Sequence, residues 1–135
     1  MIELPRIVRR RSPISGWGVY AAQPIKKGTR IVEYKGQLIS TAEANRRERR
    51  YLPRQRIWLF TVNTRRARDA AFGGNVARYI NHGCRPNCYT EVIGHHVWVF
   101  AARDIRPGEE LTYDYNTDGT ANIPCRCRPR CRHVI

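Results

Sequence analysis

The chain lacks any long apolar run. No stretch of about 18 consecutive apolar residues occurs, so the sequence predicts no membrane-spanning helix. Residues 1–6 contain no apolar core, which excludes a secretory signal peptide at this position. Internal repeats and low-complexity linkers are absent as well. A chain of 135 residues is long enough to bury a core, and we expect it to form one domain.

Negative charge and lysine are both scarce. The chain has 11 Asp and Glu against 25 Lys and Arg, a formal charge of +14, and Lys26, Lys27 and Lys35 are its only lysines. The arginines cluster at residues 9–11, 46–50, 65–68 and 126–132. Such a surface favours an acidic partner, and we predict sequence-independent contact with nucleic acid. For any single cluster, solubility explains the arginines equally well.

Cysteine is confined to two short segments. The five cysteines stand at positions 84, 88, 125, 127 and 131. Without a secretory signal they indicate a reducing compartment, where thiols are more often metal ligands than disulfide partners. We therefore expect an intracellular protein, cytoplasmic in a bacterium and nuclear in a eukaryote or as a host-targeted effector.

Short strands dominate the predicted secondary structure. Alternating apolar residues predict strands at 31–34 and 37–39, an apolar run predicts a buried strand at 57–62, and residues 91–102 predict a hairpin that turns at 94–96. The capping box Ser40-Thr41-Ala42-Glu43 predicts one polar surface helix, which runs to about residue 50 and is terminated by Pro53. The expected fold class is β-rich α+β.

A polar segment at residues 74–88 has no hydrophobic periodicity. It places Asn81, His82, Cys84, Pro86 and Asn87 within seven residues. Buried polar side chains need hydrogen-bond partners, so we predict that this segment lines a functional site. A plain turn would account for its Pro and Gly residues, but not for an Asn-His pair beside two cysteines.

Two further segments make the first one specific. Residues 15–21 read Ser-Gly-Trp-Gly-Val-Tyr-Ala, and residues 107–115 read Pro-Gly-Glu-Glu-Leu-Thr-Tyr-Asp-Tyr. In this order, and with Cys-Arg-Cys following at 125–127, the segments resemble those of SET-domain protein lysine methyltransferases with a post-SET-like tail. The resemblance covers residues 8–131 and implies the SET fold, in which small twisted sheets surround a knot-like crossing. It divides the chain into a SET domain at 1–116, with a variable insert at about 40–68, and a zinc-binding tail at 117–135.

The resemblance also implies an activity, which is methyl transfer from S-adenosylmethionine to a lysine amine in a protein, with S-adenosylhomocysteine as the other product. It assigns catalysis to Tyr115 and Tyr113, whose period-two spacing puts both rings on one face of a strand. It assigns cofactor binding to residues of the segment 15–18, which we call the glycine turn, and to residues of a following strand and of the polar segment: Gly16, Trp17, Gly18, Tyr34, Arg78, Tyr79, Asn81 and His82. Trp58 stands where family members often carry a tyrosine, which alters one wall of the lysine channel.

The degree of lysine methylation also follows from the lysine channel. A lysine must be neutral to attack, and burial beside a sulfonium charge favours the neutral amine. A phenol at position 113 would hold the amine through its remaining protons and resist further methylation, so we expect mono- or dimethyllysine. The expected partner is a lysine-containing protein, histone or histone-like.

The cysteines imply a zinc site. By resemblance, Cys84, Cys125, Cys127 and Cys131 supply the four ligands of a structural Zn²⁺. The family spacing Cys-x-Cys-x4-Cys is x3 here, which leaves Cys88 and His133 open as alternative ligands. No cysteine cluster precedes the first strand, so we expect a minimal, stand-alone enzyme of bacterial or viral type.

Two competing hypotheses replace catalysis by binding. One is a SET-like zinc-containing module whose main role is arginine-mediated nucleic-acid binding. The other is a plain zinc-binding nucleic-acid module with coincidental motif matches. The joint presence of Tyr115, Asn81, His82 and Gly16 favours the enzyme.

Overall fold

The computed structural model describes residues 3–117, 119 and 122–135, within which ten short strands and one α-helix form. In chain order the elements are β1 (Ile7–Arg11), β2 (Trp17–Ala21), β3 (Arg30–Glu33), β4 (Gln37–Ser40), α1 (Thr41–Tyr51), β5 (Leu59–Thr61), β6 (Arg66–Asp69), β7 (Asn81–His82), β8 (Cys88–Ile93), β9 (His96–Ala101) and β10 (Thr112–Tyr113). Single 3-10 turns lie at Leu52–Arg54 and Val76–Tyr79. The prediction of a β-rich α+β fold is confirmed. Among these residues, no helix is both long and apolar enough to cross a membrane.

Most of the strands form three small antiparallel sheets. Strand β1 pairs with β2, β9 lies between β3 and β8, and β6 lies between β4 and β5. The predicted hairpin is confirmed as β8 and β9, with Gly94 at its turn in the left-handed region at a φ of 65°. The strand predicted at 57–62 is shorter than expected and half-buried rather than buried, because residues 57 and 58 turn toward the cleft described below.

Helix α1 begins at the predicted capping box. The side chain of Ser40 accepts a hydrogen bond from the backbone N–H of Glu43 at 3.1 Å. Only Ala44 of this helix is buried, so polar contacts hold it instead: Arg47 and Tyr51 both donate to the buried carboxylate of Asp69, at 2.9 and 2.7 Å. The helix ends at Tyr51, and its last hydrogen bond runs from the N–H of Leu52 to the carbonyl of Glu48. The next residue, Pro53, has no N–H to continue this pattern, so the predicted termination at the proline is confirmed.

The core fixes both segments that carry the site. Its fully buried side chains include Val19, Val97 and Val99 from the sheets, together with Ile80 and Leu111. Ile80 lies within the polar segment, immediately before β7, and Leu111 immediately precedes β10. Burial of these two residues anchors the polar segment and the Tyr-Asp-Tyr segment side by side.

A parallel pair joins these two segments. Strand β10 pairs with β7, so Tyr113 lies opposite His82, and the N–H of Gly83 donates to the carbonyl of Tyr113 at 3.2 Å. A Cβ at Gly83 would lie 2.7 Å from the Oγ1 of Thr112, so only glycine permits this approach. This pairing is the crossing expected from the resemblance.

The tail packs on the rest of the chain through a small apolar cluster. Ile123, Cys125 and Ile135 are buried there, with Ile57 and Tyr115 against them. The domain boundary expected at residue 116 falls beside positions 118, 120 and 121, which lie outside the described residues, and it stays a prediction.

Candidate active site

A cleft of about 360 Å³ opens between the β1–β2 turn, the 3-10 turn at Val76–Tyr79, β7 and the tail. Seven of the residues expected in the site line it: Gly16, Trp17, Arg78, Tyr79, Asn81, His82 and Tyr115. These residues come from three separate parts of the sequence, and the fold brings them to one surface. Sites for small molecules typically enclose about 300–1,000 Å³, so the cleft is of a suitable size.

The glycine turn is held from below by a carboxylate. Glu110 accepts hydrogen bonds from Ser12 at 2.8 Å, from Tyr20 at 3.2 Å and from the side-chain amide of Asn81 at 2.9 Å. The same amide donates to the carbonyl of Trp17 at 3.0 Å. Asn81 therefore ties the polar segment to the turn.

The two glycines of the turn have different roles. Gly16 adopts a φ of 45°, in the left-handed region, and lies on the wall of the cleft. Gly18 is buried behind that wall, and a Cβ there would meet the carboxylate of Glu110 and lie 2.9 Å from the Cβ of Ser12. Gly18 therefore makes room for Glu110, and a contact between its backbone and a cofactor stays a prediction.

Arginine and aromatic rings form another wall. The Arg78 guanidinium donates to the Tyr79 hydroxyl at 2.8 Å and lies 5.8 Å from the Trp58 ring centroid. This hydrogen bond lowers the pKa of Tyr79. Trp58 lies just before β5 and lines the cleft, where its ring meets that of Tyr51 edge-on at 5.4 Å.

Tyr34 does not line the cleft. Its side chain is only 3% exposed, and its hydroxyl donates to the carbonyl of Trp58 at 2.7 Å. Trp58 occupies this part of the wall, and a contact between Tyr34 and a cofactor stays a prediction. Tyr34 supports Trp58 from behind.

The two tyrosines of the Tyr-Asp-Tyr segment face the same way. Their ring centroids are 5.0 Å apart, and the ring centroid of Tyr113 lies 6.3 Å from that of Phe60 on its other side. Burial raises the pKa of both phenols well above the ordinary value, so both stay protonated at neutral pH. Asp114 between them points out to solvent.

Tyr115 is fixed at both ends. Its hydroxyl donates to the carbonyl of Ile80, and its backbone N–H donates to the Nδ1 of His82 at 3.1 Å. Burial lowers the pKa of His82, which favours the neutral ring, and the bond from the Tyr115 N–H assigns the tautomer whose Nδ1 is unprotonated. His82 thus positions Tyr115 while it also lines the cleft.

A group of four cysteines joins the tail to the polar segment. The sulfur atoms of Cys84, Cys125, Cys127 and Cys131 all lie within 4.8 Å of one another. Cys84 is 3.7 Å from Cys125 and 3.8 Å from Cys131, and Cys127 is 3.8 Å from Cys131. Four sulfurs at about 2.3 Å from a tetrahedral zinc would be about 3.8 Å apart, so the geometry fits this metal.

The two alternative ligands occupy different positions. Cys88 is buried elsewhere, donates to the Oδ1 of Asn87 at 3.4 Å, and has its pKa raised to about 12 by burial. His133 lies next to the cluster, since a ring nitrogen of it comes within 4.8 Å of the sulfur of Cys84. It also stacks on His82, with centroids 5.4 Å apart and planes inclined by 19°.

Two contributors to this site were not assigned a role from the sequence. Buried Asn87 ties the two crossing segments, and Glu110 holds the glycine turn. Asn87 was visible in the sequence as part of the polar segment, whereas Glu110 gave no comparable signal, because its partners lie far away along the chain. His133, expected only as an alternative zinc ligand, also joins the tail to His82.

Comparisons with known proteins identify the class to which this fold and site belong. Residues 16–116 match the family described as SET domain. The chain is 44% identical over 131 residues to Histone-lysine N-methyltransferase trr of Drosophila melanogaster, covering 90% of this chain and 5% of that protein. It is 43% identical over 125 residues to Histone-lysine N-methyltransferase 2D of Homo sapiens, covering 87% of this chain and 2% of that protein.

A solved structure agrees with these relatives. The structure described as "ctPRC2 in an autoinhibited conformation bound to S-adenosylmethionine" matches with a TM-score of 0.76 and 34% identity, over 84% of this chain and 15% of that chain. The chain therefore belongs to the SET-domain family, and the relatives just named are histone-lysine N-methyltransferases. It spans only a small part of the length of each of them.

Proposed function

We propose that this chain transfers a methyl group from S-adenosylmethionine to a lysine side chain of a histone or histone-like protein, with mono- or dimethyllysine as the main product. The convergence of the glycine turn, the Asn-His pair and Tyr115 on one cleft carries the proposal. The names of the relatives and the S-adenosylmethionine bound to ctPRC2 support it. A histone substrate would place the protein on chromatin.

The cleft suits S-adenosylmethionine chemically. Its walls offer aromatic faces and the guanidinium groups of Arg11, Arg56, Arg78 and Arg126, with no Asp or Glu among the described residues that line it. The arginines would pair with the cofactor's carboxylate, while Gly16, Trp17, Tyr79, Asn81 and His82 would hold the rest. When bound, the cofactor supplies the methyl group on a sulfonium centre and leaves as S-adenosylhomocysteine.

Tyr115 would orient the lysine. Its hydroxyl proton is committed to the carbonyl of Ile80, so the oxygen lone pairs are left to accept a hydrogen bond from the amine. This contact would direct the nitrogen lone pair toward the methyl group. The arginines around the cleft disfavour a protonated lysine, so the chain needs no separate strong base to obtain the neutral amine.

Tyr113 would limit the number of methyl groups. Its ring is buried against Tyr115, so a phenol that can hydrogen-bond the amine occupies space that a second or third methyl would need. We expect Tyr113→Phe to shift the product toward higher methylation. Mass spectrometry of a methylated peptide checks this, and dominant trimethylation by the unaltered chain would contradict it.

A zinc ion held by the four cysteines would complete the cleft. The tail residues Ile123, Pro124, Arg126 and Ile135 form one side of it, and the cysteines join this tail to the polar segment. Zinc would supply a fixed cross-link there and no chemistry in the reaction. The fit of the sulfur separations to a tetrahedron supports this assignment.

Calorimetric titration with S-adenosylmethionine tests the function. We expect saturable binding, retained in Tyr115→Phe, whose turnover on a histone peptide should fall by about 100-fold or more because an oriented polar group is lost. Tyr89→Phe removes the same hydroxyl from an exposed ring on β8 and serves as the matched control. The absence of cofactor binding would favour the competing hypothesis, a zinc-containing module that mainly binds nucleic acid.

A further inference from the structure

A continuous basic surface crosses the mouth of the cleft. Two further depressions adjoin it: one shares Arg78 and Tyr79 with the cleft, and the other shares Ile14, Pro124 and Arg126. Together the three are lined by seven arginines, which we call the basic band: Arg9, Arg11, Arg56, Arg78, Arg126, Arg128 and Arg130. No Asp or Glu is among the described residues that line any of the three depressions.

No carboxylate in the described part of the chain neutralises the band. There, the arginines in ion pairs are Arg46, Arg47 and Arg103, none of which belongs to the band. Two members make other internal contacts, since Arg78 donates to the Tyr79 hydroxyl at 2.8 Å and Arg128 donates to the sulfur of Cys127 at 3.5 Å. The band thus carries seven guanidinium groups without a paired carboxylate.

Several of these groups are held in place by aromatic rings. Arg9 and Arg11 lie 4.5 and 4.2 Å from the centroid of Trp17, and Arg56 lies 5.3 Å from that of Trp58. Stacking of this kind orders a guanidinium while leaving its N–H edge free to bind. Because arginines cover these rings, the band is suited to phosphate groups rather than to stacking with unpaired bases.

The band creates an electrostatic conflict for the proposed reaction. A lysine-rich substrate carries the same sign of charge as the rim of the cleft, so the two repel each other on approach. A polyanion bound along the band would reverse the sign of that rim. Phosphate is the anion that guanidinium forks bind most readily in a repeated array.

We propose that the basic band binds the phosphate backbone of duplex nucleic acid, and that the bound duplex holds a basic substrate protein over the cleft. The second part rests on the proposed lysine methylation, whereas the first does not. Binding is independent of base sequence, since the contacts are made by charge and guanidinium geometry alone.

Fluorescence anisotropy with two short duplexes of unrelated sequence tests the binding. Both should bind alike, with a log–log salt slope of magnitude about 6 between about 50 and 200 mM salt if each of the seven arginines neutralises one phosphate. Arg9→Gln/Arg130→Gln, at two ends of the band and outside the cleft lining, should lower the slope by about 2. Arg65→Gln/Arg66→Gln removes the same charge from the exposed start of β6, outside the band, and should change the slope much less.

Several results would overturn the binding. They are an equal loss in the two double variants, a salt-independent affinity, or displacement of the duplex by polyglutamate at equal charge. The last result would assign the band to acidic proteins instead.

Methylation of a basic histone peptide, measured with and without duplex, tests the presentation of substrate. The duplex should lower the KM for the peptide severalfold at low salt, and less so in Arg9→Gln/Arg130→Gln. An unchanged KM despite bound duplex would refute presentation. If the chain binds cofactor and methylates the peptide but does not bind the duplex, this inference alone is refuted. If it binds the duplex but not the cofactor, the proposed methyl transfer is refuted.

Discussion

Replacement of Asn87 by alanine should destabilise the chain and lower its turnover, although this residue touches neither cofactor nor substrate in the proposed mechanism. Asn87 is 4% exposed and lies where the two crossing segments meet. Its amide nitrogen donates to the carbonyl of Glu110 at 2.8 Å, and its amide oxygen accepts from the N–H of Thr112 at 2.9 Å. Thr112 immediately precedes the Tyr-Asp-Tyr segment, and Glu110 lies three residues before it.

The expected loss follows from those two bonds. Alanine would leave one backbone carbonyl and one backbone N–H without a partner, each costing about 1–3 kcal/mol when buried. The free energy of unfolding should therefore fall by about 2–6 kcal/mol. Because the same bonds position the segment that carries Tyr113 and Tyr115, turnover should fall further than cofactor affinity.

Urea unfolding followed by circular dichroism measures the first effect, and peptide methylation at saturating cofactor measures the second. Asn45→Ala is the matched control, since Asn45 is exposed on helix α1 and alanine is the better helix former there. A loss in Asn87→Ala no larger than about 0.5 kcal/mol, the usual range for surface substitutions, would refute the reasoning.

Three further predictions address the tail and the buried phenols. Cys84→Ser should lose zinc on metal analysis while Cys88→Ser retains it, and equal zinc in both would contradict the assigned ligands. His133→Gly should lower kcat with little change in cofactor affinity. His133→Phe should recover most of the lost kcat, because a phenyl ring can also stack on His82. Equal kcat values for the two variants would refute a role for the ring. Burial and the hydrogen bond to Asp69 raise the pKa of Tyr51 from 10.0 to about 12. The protonated phenol therefore contributes fully to the free energy of unfolding below pH 10, and this contribution declines as the pH rises toward 12. Urea unfolding should show that Tyr51→Phe loses less stability than the unaltered chain over this alkaline range.

The sequence alone supported much of the fold and the site. The capping box located α1, the alternation of apolar residues located β8 and β9, and the three ordered segments indicated the SET fold. These features could be read because each depends on residues that are close in sequence. The period-two spacing of Tyr113 and Tyr115 likewise predicted their shared face, since a strand places alternate side chains on one side.

Other features depended on which face a side chain takes in the folded chain. Tyr34 and Gly18 match family positions, yet Trp58 covers the first and the carboxylate of Glu110 lies against the second. A motif specifies the residue type at such positions, but only packing decides whether the side chain reaches the cleft.

The sequence by itself determined the class of fold, the segments that form the cleft and the residue types available for chemistry. The tertiary structure decided which of these residues meet. Cys84 and Cys88 are both close to the polar turn, but only Cys84 comes within 3.7 Å of Cys125, which lies 41 residues away. The side-chain amide of Asn87 donates to the carbonyl of Glu110, which lies 23 residues further along the chain. Contacts of this kind depend on the parallel pairing of β7 with β10. Burial of Ile80 and Leu111 holds these two segments together, although they are distant in sequence and no local sequence pattern links them.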